Sequence, residues 1–124
     1  MKFLNIKFNE KSTGVFLIEL VGPLDTYTHA IFDFRMESIL LPSTKALILD
    51  MGGVDYVSSM GIGSIFKIRK FAKENKIEIA IVNIQPQVKK VFDTVQAIPQ
   101  EAVFESLNEI DAYLNQIQKD KKRG

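Results

Sequence analysis

Apolar and polar positions alternate from Phe3 to Phe8 (FLNIKF), the period of a strand with one face turned inward. A polar turn follows at Lys11-Ser12-Thr13-Gly14. Val15 to Val21 (VFLIELV) is then an almost unbroken apolar run, so the pair reads as a hairpin whose second strand is the more buried. Gly22-Pro23 breaks that strand. The period then changes to a helical one up to about Leu40. Thr26 or Thr28 is placed to cap this helix. Ile31, Phe32, Phe34, Met36 and Ile39 are expected to face inward, and Pro42 marks the stop. Lys45 to Met51 (KALILDM) predicts a central strand, and Gly52-Gly53 opens a loop. Past Ser58-Ser59, the residues Ile62, Ile65, Phe66, Arg69 and Ala72 recur at helical spacing, with Lys67, Lys70 and Lys73 largely opposite. That is an amphipathic helix from Met60 to Lys73. Ile77 to Val82 predicts a strand. Pro86 suits the first turn of a helix carrying Val88, Val91, Phe92 and Val95 on one side. Ala102 to Phe104 predicts a short edge strand. Ser106-Leu107-Asn108-Glu109 is a capping box that opens a last helix to about Ile117, with Leu107, Ile110, Tyr113 or Leu114, and Ile117 inward.

The order is β-β-α-β-α-β-α-β-α. Strand–helix alternation after an opening hairpin implies an α/β domain with a mixed sheet of about five strands and four helices. It spans residues 1–118, followed by a basic tail at 119–124 (KDKKRG). A length of 124 residues fits one domain, and 46% hydrophobic residues suffice for a core. The 16 basic and 15 acidic side chains nearly cancel, which argues against nucleic acid as a direct partner. Cysteine is absent, so disulfides and thiolate metal sites are excluded. The first residues alternate and acquire charge early, unlike a signal peptide. No run approaches the roughly 20 apolar residues of a membrane span. A cytoplasmic domain without membrane insertion is expected.

Little in the chain supports catalysis. His29 is the sole histidine and lies within a predicted helix, which removes the usual general base for a serine nucleophile and makes a metal site improbable. Gly61-x-Gly63 lacks the third glycine of a dinucleotide fingerprint, because Phe66 stands there. There is no phosphate-binding P-loop. Asp25, Asp50 and Asp55 remain as carboxylates. Asp50 ends a strand, where α/β folds build sites, and so draws attention to an Asp50–Ser59 corner. No cofactor and no enzymatic activity are expected; a small nucleotide-binding or hydrolytic enzyme using that corner is the rival reading.

Three stretches carry a resemblance. Gly22-Pro23-Leu24-Asp25 follows the second strand. Asp50 to Gly63 reads DMGGVDYVSSMGIG. Ile84-Gln85-Pro86-Gln87-Val88 precedes Val91-Phe92. Together with the element order, these resemble the STAS domain of bacterial anti-sigma factor antagonists over nearly the whole chain. In that family a serine directly after a motif aspartate is phosphorylated, which matches Ser59. Ser58 stands where the aspartate would be, and Met60 replaces a small residue; Ser58 is the alternative acceptor. The resemblance implies that the unmodified protein binds an anti-sigma factor that is itself a serine kinase, thereby releasing a sigma factor. It also implies a serine phosphatase that resets the modified form. Expected partner contacts are Asp25, Thr26, Ser58, Ser59, Met60, Gly61, Ser64 and Lys67, with Lys70 on the same exposed helix side. The alternative is a STAS module that docks constitutively on a transporter or signalling assembly.

The physical reason for a serine here lies in the helix tip. Unpaired N–H groups and a partial positive charge accept a hydroxyl as a cap and tolerate a phosphate. Phosphorylation adds about −1.5 to −2 charges, enough to disrupt docking at an interface. The switch requires the Ser59 hydroxyl to be accessible.

Overall fold

The computed structural model describes residues 2–96, 112 and 114–119. Four strands form one mixed sheet in the order β1-β2-β3-β4: β1 (Asn5–Ser12), β2 (Val15–Val21), β3 (Ala46–Gly53) and β4 (Glu78–Val82). β1 and β2 are antiparallel, whereas β2–β3 and β3–β4 are parallel. Helices α1 (His29–Met36), α2 (Ser59–Glu74) and α3 (Pro86–Gln96) complete the named elements, and residues 112 and 114–119 are also helical. The expected edge strand at Ala102–Phe104, the capping box at Ser106–Glu109 and the end of the tail lie outside the described residues.

Register follows from side-chain alternation. Ile18 pairs with Phe8 and Leu49, and Leu49 with Ile81, so one face of the sheet carries aliphatic and aromatic side chains. On that face Ile18, Leu20, Leu47, Leu49 and Met51 are buried. The other face bears Lys7 opposite Glu19 and Glu19 opposite Asp50. The parallel crossovers advance in one direction across the sheet, from β2 to β3 to β4. Right-handed connections therefore put α1 and α2 on the same side. Phe32, Met36, Ile62, Ile65, Ile68, Val88, Val91, Val95 and Leu114 join the sheet residues in a single core cluster.

Two elements differ from expectation. β1 extends through the polar stretch Asn9–Ser12, because an edge strand needs backbone pairing with β2 rather than apolar side chains. α1 is shorter than predicted, and only part of its apolar set faces inward. Phe32, Met36 and Ile39 are buried, but Ile31 and Phe34 are 48% and 67% exposed. Successive helical residues are rotated by about 100°. Phe32 and Met36 therefore share one side of α1 and Ile31 and Phe34 another, with Tyr27 exposed in the turn just before the helix. The sequence offers both; the sheet accepts the first.

Candidate functional site

The segment after β3 is held by side chains that replace absent backbone partners. Asp50 Oδ1 accepts hydrogen bonds from Gly52 N–H (2.9 Å) and from Asn83 Nδ2 (3.2 Å). Gln85 Nε2 donates to the Gly52 carbonyl (2.9 Å), and Gln87 Nε2 donates to that of Asp55 (3.0 Å). The Asp50 carboxylate thus fastens the end of β3 to the β4–α3 connection.

The chain then enters α2. Ser58 is the N-cap, with extended φ/ψ of −102° and 175°, and its Oγ accepts from Gly61 N–H at 3.3 Å. Its own N–H donates to the Leu24 carbonyl (3.0 Å), and its carbonyl accepts from Ile62 N–H (2.9 Å). Serine and aspartate are comparable N-caps. Ser58 therefore caps the helix without the charge that an aspartate at this position would carry. No acidic residue lies in the first turn of α2.

Ser59, the first residue of α2, is 0% exposed. The expected accessible hydroxyl is thus not presented to solvent in this conformation. Ser58, the alternative acceptor, is 3% exposed. The cause is close packing of the β2–α1 connection on the helix tip. Leu24 N–H donates to the Tyr56 carbonyl (3.0 Å), and Leu24 forms a parallel bridge with Val57. A Cβ on Gly61 would lie 2.2 Å from the Leu24 carbonyl oxygen, so only glycine permits this approach.

Asp25 shapes that connection. Its Oδ1 accepts from Tyr27 N–H (2.9 Å) and Thr28 N–H (3.0 Å), while its own N–H donates to Thr28 Oγ1 (2.9 Å). Thr28 Oγ1 in turn donates to the Pro23 carbonyl (2.8 Å). Thr28 is the N-cap residue of α1, but its hydroxyl points back into the turn and makes no cap bond. Thr26 is exposed, while Met60 and Asp25 are partly so. Lys67 is exposed and reaches Asp33 Oδ2 at 3.1 Å. Lys70 is exposed too. Ser64 corrects an expectation: it is 2% exposed and faces inward, so it offers no partner contact. His29 lies 3.8 Å from Asp33 through Nδ1, and among the described residues no group of three or more His, Asp or Glu side chains is arranged to hold a metal.

The sequence reading missed two features. One is the exposed stripe of Tyr27 (76%), Ile31 and Phe34. The other is Gln118. Its Oε1 accepts from Val57 N–H (2.8 Å), and its Nε2 donates to the Val57 carbonyl (2.8 Å) and to the Leu114 carbonyl (3.1 Å). The side-chain amide serves Val57 as a neighbouring strand would. Tyr56 OH pairs with Asn115 beside it.

With this geometry established, comparison with known proteins is informative. The family model of the STAS domain matches residues 9–110, and the chain belongs to that family. It is 26% identical over 85 residues to the anti-sigma F factor antagonist of Paenibacillus polymyxa, covering 68% of this chain and 73% of that one. Its fold is similar to the Bacillus cell fate determinant SpoIIAA in the phosphorylated form. There the TM-score is 0.62 at 15% identity, over 86% of this chain and 87% of the other. It is also similar to a part of the murine anion transporter Slc26a9, with a TM-score of 0.59 at 24% identity, over 73% of this chain and 18% of that one. At these identities the structural likenesses establish the fold alone. Among the described residues no helix is long and apolar enough to cross a membrane.

Proposed function

We propose that this chain is an anti-sigma factor antagonist that acts by binding rather than by turnover. The observation that carries this reading is the exposed stripe on α1. Tyr27, Ile31 and Phe34 recur at helical spacing, yet none is in the core. Large apolar side chains left in water at helical spacing fit an interaction surface. The stripe begins at Tyr27, close in sequence to Leu24, whose carbonyl holds the Ser58 N–H. Lys67, 70% exposed in its side chain, pairs with Asp33 of α1. A protein partner with an apolar contact surface fits this face, and the curated relative is named as the antagonist of such a partner, an anti-sigma factor. The docking set becomes Thr26, Tyr27, Ile31, Phe34, Met60 and Lys67.

Phosphorylation at Ser59 by a kinase-type anti-sigma factor, reversed by a serine phosphatase, is part of this proposal on one condition. The helix tip has to open, because both hydroxyls are buried. A second reading, constitutive docking within a transporter or signalling assembly, is favoured by that closed tip and by the missing motif aspartate.

The test is incubation with the serine-kinase anti-sigma factors of the same genome and ATP, followed by intact mass and site mapping. Binding with one phosphate at Ser59 supports the regulated antagonist. Binding without phosphate supports constitutive docking, and phosphate at Ser58 alone moves the acceptor by one residue. Failure to bind any of them overturns the antagonist reading.

A further inference from the structure

We infer that the groove between α1 and α2 takes an anchor from the protein partner: a large apolar side chain flanked by a lysine or arginine. The inference rests on the reading of α1 as the docking element, and it names the chemistry that the partner brings.

The groove has a volume of about 230 Å³. Its apolar lining comes from both helices: Met36 and Leu40 on one side, Ile68 and Phe71 on the other. Met36 and Ile68 are buried and make the floor, while Leu40 and Phe71 are half-buried walls. The spacing explains the set, because residues three or four apart share one side of a helix. Leu40 N–H donates to the Met36 carbonyl (3.0 Å), which carries the helical path past the end of α1. Four apolar side chains around one groove favour a hydrocarbon chain or a ring over water. The volume is ample, since an apolar cavity of about 150 Å³ already holds benzene. In protein interfaces, side chains that fill such pockets carry much of the binding energy.

The charged lining decides what accompanies the apolar group. Asp33, Glu37 and Lys67 also border the groove. Asp33 is already matched, with Lys67 Nζ 3.1 Å and His29 Nδ1 3.8 Å from its Oδ2. Glu37 is exposed, and among the described residues its carboxylate makes no ion pair. With Lys67 matched to Asp33, the groove is left with one uncompensated negative charge. A cation beside the partner's apolar side chain complements it, whereas a carboxylate there is repelled. Glu37 also follows Phe34 by three residues, so the two are neighbours on the helix surface. The groove therefore adjoins exposed Phe34, and one partner segment can cover both.

Two capped dipeptides carry the anchor in miniature: N-acetyl-phenylalanyl-lysine amide and N-acetyl-phenylalanyl-glutamate amide. Each is titrated into the isotopically labelled full chain and followed by NMR. The lysine peptide should give saturable shifts at Met36, Leu40, Ile68 and Phe71. It should also bind at least about twofold more tightly than the glutamate peptide, as expected for an exposed ion pair. Glu37→Lys should reverse that preference, and Leu40→Trp, which fills the groove, should abolish the shifts. Glu78→Lys, at an exposed position on β4, makes the same change of net charge and should leave both peptides as in the parent. Should Leu40→Trp fail to fold, the exposed Glu37→Lys decides. The inference is overturned if neither peptide shifts the groove residues, if the shifts gather elsewhere, or if the preference survives Glu37→Lys. Toward an anti-sigma factor that binds the parent, Glu37→Lys should weaken binding at least about tenfold. Unchanged binding there gives the groove to another occupant, a second copy or a small molecule, and overturns the inference too. No anti-sigma factor enters the peptide titration. Silent peptides thus defeat the groove, while failure to bind any anti-sigma factor defeats the antagonist reading.

Discussion

At residue 58 a serine caps α2, a task an aspartate performs about equally well. Its Oγ caps Gly61 N–H, so Ser58→Ala should lower stability by about 1 kcal/mol, whereas Ser58→Asp should lie within about 0.5 kcal/mol of the parent. Urea denaturation at neutral pH checks both. Gly61 is the tighter constraint. With Leu24 oxygen 2.2 Å from any Cβ, Gly61→Ala has to push the connection away. A loss of about 1–3 kcal/mol is expected, with an unchanged denaturant slope. Ser64 runs the other way. Its Oγ is buried with no hydrogen-bond partner among the described residues. Ser64→Ala removes that hydroxyl and raises helix propensity, and should stabilise the chain by about 1 kcal/mol. The paired serines were legible in the sequence as a helix start. Their burial was not, because it comes from tertiary packing that the local sequence does not show.

At the scale of elements, α1 separates what periodicity can say from what it cannot. Its helical character was readable. The choice between the stripe of Phe32 and Met36 and that of Ile31 and Phe34 was not, because both are apolar and periodicity alone does not say which one meets the sheet. The sheet decides, and the rejected stripe becomes the surface available to a partner. Phe34→Glu should therefore leave the thermal midpoint close to that of the parent, since a 67% exposed side chain carries little packing. A midpoint lowered as by a core substitution would show that Phe34 is not a surface residue. α2 and α3 were more legible. Val88, Val91, Phe92 and Val95 form one apolar stripe, and all four are buried.

For the whole molecule, the alternation of elements and the two glycine-bearing motifs were enough to anticipate a mixed sheet and the STAS family, which the match over residues 9–110 establishes. Order along the chain determines topology because parallel crossovers keep one hand. Side-chain tethers such as Gln118 to Val57 leave no such trace, since one polar residue among the buried positions of a helix carries no period of its own. The central claim is that the molecule docks through the α1 stripe beside a closed α2 tip. Calorimetric titration of an anti-sigma factor from the same genome into the parent, Ser59→Ala and Phe34→Glu tests it most directly. The account predicts equal binding by the first two and at least about 30-fold weaker binding by Phe34→Glu, the loss typical of a central interface residue. Phe34→Glu binding as tightly as the parent would contradict it.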